Sequence, residues 1–341
     1  MKRIAITGAS GYLGQHLLHA FLTDPPQMTL VDCYADDGTS RTSSNYHIYA
    51  LYRSAQGFPE AVKAIPCASN VKVTIECLDL TDSEQVSQWV EKHSHLDVCI
   101  HAAAMSSPKL CQEQADVARV CNVPTAFFDA LQKYSVQIIA LSTDQVYAGT
   151  RPPYSETDST GPCNVYGQSK LEMEEHILPI NDVFGLDSPR SGVTVLRSSI
   201  MLGSKAPILP SIAHGTFLHF CQSREGVETE FYTDECRSVV AVTDVVAVVQ
   251  WLVVNDHAEA AGIFNLGGPQ SVSRLDMAEA VFSYSGYDKR YLIAKEKAVL
   301  KDRLEVPSPL DISMDNSKIT ELTQRKFQVL EEMVRATFSV P

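Results

Sequence analysis

Tyr166 and Lys170 stand four residues apart in Tyr166-Gly-Gln-Ser-Lys170 and follow Ser142-Thr143-Asp144 along the chain. Positions i and i+4 of a helix share a face, so the Lys170 ammonium is expected beside the Tyr166 phenol. A phenol ionises near pH ~10 in water, and a neighbouring cation favours its ionised form. Such a phenol can give a proton to a carbonyl oxygen as that carbonyl receives hydride, and take it back in reverse. Thr143, at the expected end of a strand, offers a hydroxyl to orient the carbonyl, with Ser142 as the alternative. Taken alone, Tyr-x-x-x-Lys is more often a packed surface pair, and both hydroxyls can simply satisfy strand-end backbone groups. Asn122, two residues before Pro124, marks either a helix kink that admits water beside the site or a plain helix end.

Hydride chemistry needs a carrier, and Thr7-Gly8-Ala-Ser10-Gly11-Tyr12-Leu13-Gly14 follows the apolar run Ile4-Ala5-Ile6 and opens an amphipathic segment. Gly8 permits a sharp turn, Gly11 lets backbone approach a pyrophosphate, and Gly14 lets the helix pack on the sheet. Without its context the glycine triplet is a weak signal, because glycines also mark ordinary turns. Asp32 closes an apolar run, Met28 to Asp32, where an acidic side chain accepts hydrogen bonds from an adenosine ribose. That reading favours NAD, whereas Arg41 or Arg53 could meet the 2′-phosphate of NADP; Asp32 as a turn cap is the ordinary alternative. Asp79 and Leu80 are placed to touch adenine, although Asp79 can equally cap the helix starting near Asp82.

The elements that must position these groups alternate. Arg3 to Thr7, Met28 to Asp32, Val71 to Leu78, Asp97 to Ala103, Val136 to Ser142 and Val193 to Arg197 read as strands. Tyr12 to Leu22, Ser83 to His93, Gln112 to Lys133 and Val165 to Leu178 read as helices between them. This predicts an α/β fold, a Rossmann-type doubly wound parallel sheet with a smaller C-terminal substrate-binding lobe. Residues 1–200 and 239–266 are assigned to the dinucleotide-binding domain, and 201–238 with 267–341 to the lobe. Ile263 to Leu266 reads as a last strand, Ser273 as the cap of a helix over Leu275 to Tyr284, and Thr243 or Asp244 as the cap of a helix over Val245 to Val254. The Ser- and Tyr-rich stretch Ala35 to Ser54 reads as an insertion or a lid.

A length of 341 residues allows one large domain with an elaboration, or two lobes. The formal charge of −13 argues against nucleic acid or an acidic membrane as the main partner. Val245 to Val254 falls short of the ~20 apolar residues that span a bilayer. The apolar run after Met1-Lys-Arg is too short for a signal peptide, so a cytoplasmic location is expected. Nine cysteines without a Cys-x-x-Cys pair suggest free thiols. His16 and His19 lack a third ligand nearby in sequence, so no metal is expected.

These motifs, with His101-Ala102-Ala103-Ala104, resemble those of the extended short-chain dehydrogenase/reductases over most of the chain. More narrowly, Leu141-Ser-Thr-Asp-Gln-Val-Tyr147, Pro153-Tyr-Ser-Glu-Thr-Asp158 and Asn164-Val-Tyr-Gly-Gln-Ser-Lys170 resemble the dTDP-4-dehydrorhamnose reductases and the regulatory beta subunits of methionine adenosyltransferase. Asn265-Leu-Gly-Gly-Pro269 and Pro309-Leu-Asp-Ile-Ser-Met-Asp315 are similar to the plant-type proteins named after that subunit. The resemblance implies Thr143 as carbonyl orienter, Tyr166 as acid and base, Lys170 as its activator and a ribose ligand, and Asn122 as support for a relay water. It implies NAD or NADP held by Gly8, Ser10, Gly11, Tyr12, Leu13, Gly14, Asp32, Asp79, Leu80, Ala102, Ala103, Ala104, Tyr166, Lys170 and Ser198. Ser106, Asp144, Gln145 and Arg237 would face the substrate, Arg237 as a phosphate contact or as a structural ion pair. Gln145 stands where related dehydratases carry Glu, which disfavours dehydration, and Leu202-Gly203 replaces a frequent Tyr-Gly.

The expected activity is reduction of a carbonyl, in a keto-deoxy sugar nucleotide, by a homodimer. The alternatives are a dinucleotide-binding regulatory subunit of methionine adenosyltransferase and a nucleotide-sugar epimerase that returns its hydride. Phe338-Ser-Val-Pro341 lacks the basic, aromatic tail of the animal beta subunit.

Overall fold

Side-chain alternation along Ile4-Ala5-Ile6 sends successive residues to opposite faces of a sheet, and both faces are buried here. The computed structural model describes residues 1–26, 45–181, 192–211, 216–255, 260–299 and 305–339. Its central sheet pairs seven strands, all parallel: β1 (Lys2–Thr7), β2 (Tyr46–Tyr52), β3 (Val71–Cys77), β4 (Val98–His101), β5 (Gln137–Thr143), β6 (Val193–Ser198) and an edge strand, Gly262–Leu266. Their order in space is Gly262–Leu266, β6, β5, β4, β1, β2, β3. The order reverses between β1 and β4, the switch point where ligands settle outside the carboxyl ends of such strands.

Ile4 and Ile6 pack with α1 (Tyr12–Thr23) and the helix Val242–Val254 in one core. Ala5, Cys99 and Ile138 pack on the other face with Trp89 of α2 (Ser83–Lys92), Phe127 and Phe128 of Thr125–Lys133, and Met173 of α3 (Val165–Ile177). A third apolar cluster gathers Leu202, Leu218, Phe231, Met277, Val281 and Met333. No helix among the described residues is long and apolar enough to cross a membrane, and the described cysteines are free thiols.

Three expectations need correction. The strand beside β1 is Tyr46–Tyr52, inside the stretch read as an insertion, with Lys2 in register with Tyr46 and Thr7 with Leu51. Asp32 and Arg41 lie outside the described residues. The single helix expected over Gln112 to Lys133 is broken into Pro108–Glu113, Ala115–Asn122 and Thr125–Lys133. Pro124, which has no N–H to donate, sits at the second break. The helix of Val242–Val254 is capped by Ala241, not by Thr243 or Asp244. Val240 and Ala241 pair with Met201 and Leu202 and run straight into the first turn, while buried Asp244 accepts from Arg325 Nη2 (2.7 Å) and Gln328 N (2.9 Å).

Candidate active site

The glycine turn lies between β1 and α1. Gly8 adopts φ +64, and a Cβ there would stand 2.8 Å from the backbone of Ala103. A Cβ at Gly14 would stand 2.0 Å from the Gly8 carbonyl oxygen, so α1 meets the turn at a distance that only glycine allows. Gly11 caps α1 with no side-chain hydrogen bond, which leaves first-turn N–H groups for an anion. Thr7 Oγ1 accepts from the N–H groups of Ala102 and Ala103, each at 3.2 Å, and lies 3.0 Å from His101 Nδ1. These bonds join the ends of β1 and β4. Buried Gln15 donates to the carbonyl of Ser10 (2.8 Å) and accepts from Leu209 N (2.7 Å), tying the turn to the chain beyond β6.

Over this turn lies a cavity of ≈ 400 Å³, bordered by Gly8, Ser10, Gly11, Arg53, Asp79, Leu80 and Ala102 to Ala104 among others. Tight glycines and an uncapped helix start fit a dinucleotide. Arg53 follows directly on β2, the place expected for Asp32, and its Nη1 stands 3.6 Å from Cys121 Sγ. Asp79 accepts from Thr81 N (2.9 Å) and Thr81 Oγ1 (2.8 Å). Those bonds and the charge of Arg53 hold its carboxyl below the usual range, while Asp82 caps α2.

The chemical residues gather at the end of β5 and the start of α3. Asn164 caps α3 through Gly167 N (2.9 Å) and so fixes the first turn that carries Tyr166. Tyr166 is half-buried, with the Thr143 hydroxyl beside its phenol. Burial first, then Asp144 and Cys111, push the phenol above its ordinary value, and the bond to Thr143 opposes them. Lys170 lies deeper on the same helix face, 2% exposed, and donates to Met173 Sδ at 3.2 Å. Asn122 uses its amide on the backbone of Met105, accepting at 2.7 Å and donating at 3.2 Å, and on Ser169 Oγ at 2.9 Å. It thereby links the broken helix to α3.

A second cavity of ≈ 280 Å³ is bordered by Lys109, Gln145, Asn164, Arg237 and Arg274. Gln145 Oε1 accepts from Asn164 Nδ2 (2.9 Å), which also donates to Pro307 O (3.0 Å). Asp144 is buried and accepts from Ser199 (2.8 Å) and Thr143 (3.2 Å), with Arg237 at 3.9 Å. Ser106 is exposed on the loop before Pro108–Glu113, and the Ser198 hydroxyl donates to Ser199 O at 3.1 Å. Neither borders the two cavities; nor do Tyr12, Leu13, Gly14, Asn122, Thr143, Asp144, Tyr166 and Lys170. Sequence reading missed Leu51, Thr81, Met105, Leu110 and Cys121 on the dinucleotide cavity and Arg274 on the other. Leu51 lies at the end of β2, Met105 adjoins the His101-Ala-Ala-Ala104 motif and Arg274 stands in Ser273-Arg-Leu-Asp-Met-Ala-Glu279, signals that the sequence offers; Cys121 carries none.

The rat methionine adenosyltransferase 2 subunit beta (Rattus norvegicus) is 25% identical over 284 residues, 82% of this chain and 71% of that protein. The dTDP-4-dehydrorhamnose reductase of Sinorhizobium fredii is 29% identical over 163 residues, 46% of this chain and 50% of the relative. Among solved structures, dTDP-4-dehydrorhamnose reductase from Bacillus anthracis in complex with NADP aligns with TM-score 0.71 at 19% identity, covering 99% of each chain. The family described as RmlD substrate binding domain matches residues 1–339, and the chain belongs to it.

Proposed function

We propose that this protein is an NADP(H)-dependent reductase of a carbonyl in a keto-deoxy sugar nucleotide. The observation that carries the reading is the Tyr166 phenol beside the Thr143 hydroxyl at the end of β5, in a chain whose glycine turn borders a dinucleotide-sized cavity. A bound nicotinamide dinucleotide would supply the hydride. The remaining work falls to the chain: Thr143 orients the carbonyl oxygen, Tyr166 gives its proton to that oxygen as negative charge develops, and Lys170 keeps positive charge near the phenol. The reading of NADP(H) over NAD(H) is supported by Arg53, which follows β2 and borders the cavity, since a guanidinium pairs well with a ribose 2′-phosphate. The relative from Bacillus anthracis was crystallised with NADP.

The test is loss of NADPH absorbance with a panel of keto-deoxy sugar nucleotides, for the wild type and Tyr166→Phe. Turnover by the wild type and none by the variant, with NADPH still bound by both, is expected. Equal turnover by the two proteins would remove Tyr166 from the mechanism.

The coverage of the rat subunit favours one further reading, a dinucleotide-binding regulatory subunit of methionine adenosyltransferase. Co-elution with such an enzyme through size-exclusion chromatography, without NADPH oxidation on any sugar nucleotide, would put that reading first.

A further inference from the structure

Arg237 spends both of its terminal nitrogens on this chain. Nη1 donates to the carbonyls of Cys236 (2.7 Å) and Leu310 (2.8 Å). Nη2 donates to Pro309 O (3.0 Å) and Glu235 Oε1 (3.3 Å), and Nε faces Asp144 Oδ2 at 3.9 Å. Four of the five N–H groups of the guanidinium are thus hydrogen-bonded within this chain and the fifth, on Nε, faces the Asp144 carboxylate, and the residue is buried. Its partners at Pro309 and Leu310 belong to the segment that passes Val306, Pro307 and Ser308 along the cleft.

Arg274 borders the same cleft in the opposite condition. Nη2 donates to Glu235 Oε1 at 3.0 Å, and the guanidinium lies 4.8 Å from the centre of the Phe217 ring. Nε and Nη1 have no partner among the described residues, and the side chain is 22% exposed. Glu235 cannot swing away, because Lys297 Nζ holds its other oxygen at 2.6 Å. The fork of Arg274 is therefore fixed in direction while part of its donor set stays open, the condition in which a guanidinium recognises phosphoryl oxygens. Arg274 is also the first residue of the helix Arg274–Ser285, whose positive end adds to the attraction. Lys109, the remaining cation of the cleft among the described residues, is 63% exposed and pairs with Glu305 at 3.3 Å, a weak surface contact.

We propose that Arg274 takes the phosphoryl oxygens of the substrate and that Arg237 is a positioning residue, which pins the segment around Pro309 over the cleft. This inference rests on the reading of the cleft as a sugar-nucleotide site.

Calorimetric titration of the NADP⁺-saturated protein with dTDP, UDP, thymidine and inorganic pyrophosphate tests it. Arg274→Gln should weaken the diphosphates by about ten- to a hundredfold, the loss of a charged hydrogen bond, and leave thymidine unchanged. With a turned-over substrate it should raise KM far more than it lowers kcat. Arg237→Lys should lower Tm while changing diphosphate affinity by less than about threefold, and Arg274→Lys should recover part of the binding. Unchanged diphosphate affinity in Arg274→Gln would overturn the proposal. So would a wild type that binds none of the anions, or a loss of affinity in Arg237→Lys at unchanged Tm. Pyrophosphate binding that depends on Arg274, with dTDP and UDP no tighter than pyrophosphate, would keep Arg274 as the anion contact and remove the sugar-nucleotide reading.

Discussion

Lys170 points its ammonium at the sulphur of Met173, 3.2 Å away, and not at a strong acceptor. A thioether accepts weakly, so the charge is held mainly by Glu174, one turn further along α3. Burial pushes Lys170 down to about 8, and Glu174 works against that shift. Arg197 of β6 grips Glu174 through Nη2 (2.7 Å) and Nε (3.1 and 3.2 Å). Two cations and one carboxylate thus lie buried together on α3 and β6, while burial, Asp144 and Cys111 hold the Tyr166 phenol above its ordinary value.

Turnover should fall on the alkaline side with a midpoint near 8, as Lys170 loses its proton. Glu174→Gln removes the charge that opposes this loss and should move the limb of the kcat profile to lower pH. Lys170→Met should cost about 10²- to 10⁴-fold in kcat, the range for acid–base assistance. Superimposable profiles for wild type and Glu174→Gln would uncouple Glu174 from the lysine.

Removing one member of the Glu174–Arg197 pair leaves a buried charge without its partner. Arg197→Met should cost about 3–5 kcal/mol, read from the urea midpoint. The double variant Glu174→Met, Arg197→Met should lose less than the sum of the single ones, because the pair is one interaction. Strict additivity would mean that the two side chains do not depend on each other.

Arg53 should decide between the two dinucleotides. Arg53→Ala is expected to weaken NADPH by about tenfold or more, one charge-assisted contact, and to leave NADH unchanged. A comparison of dissociation constants for the two reductants suffices, and equal losses for both would take the 2′-phosphate away from Arg53.

Gly14→Ala places a Cβ 2.0 Å from a carbonyl oxygen of the turn, an atom that cannot rotate away. Loss of dinucleotide binding together with a lowered Tm is expected. A variant with both properties intact would show that α1 can slide along the sheet.

Acid should destabilise the fold through two histidines, buried His101 and half-buried His16. Burial lowers His101 to about 3 and His16 to about 4, from 6.5. As pH falls through 6.5 the unfolded chain takes up these protons and the folded chain does not, so stability is lost progressively down to about 4 for His16 and about 3 for His101. Among the described residues His101 Nε2 has no hydrogen-bond partner to absorb the charge. Urea midpoints measured across this interval should decline more steeply for the wild type than for His101→Gln.

The sheet was largely legible from the chain alone, because apolar runs such as Ile4-Ala5-Ile6 and Ile138-Ile139-Ala140 record burial on both faces residue by residue. The glycine turn and the Tyr166–Lys170 spacing were legible for the same local reason: one turn of helix or one tight bend dictates the residue type. The partner of β1 was not. Met28 to Asp32 offers an apolar run at the expected distance from Gly14, and only the pairing of Lys2 with Tyr46 identifies the strand that delivers Arg53 to the cavity. The different conditions of Arg237 and Arg274 were equally hidden, since acceptors at Pro309 and Leu310 satisfy one and Glu235 holds the other. Sequence by itself determined which side chains could do the chemistry, because helical and strand periods act over a few residues. The tertiary structure decided which cations remain open to a ligand, because hydrogen-bond donors are consumed by whichever distant carbonyls the packing brings within 3 Å.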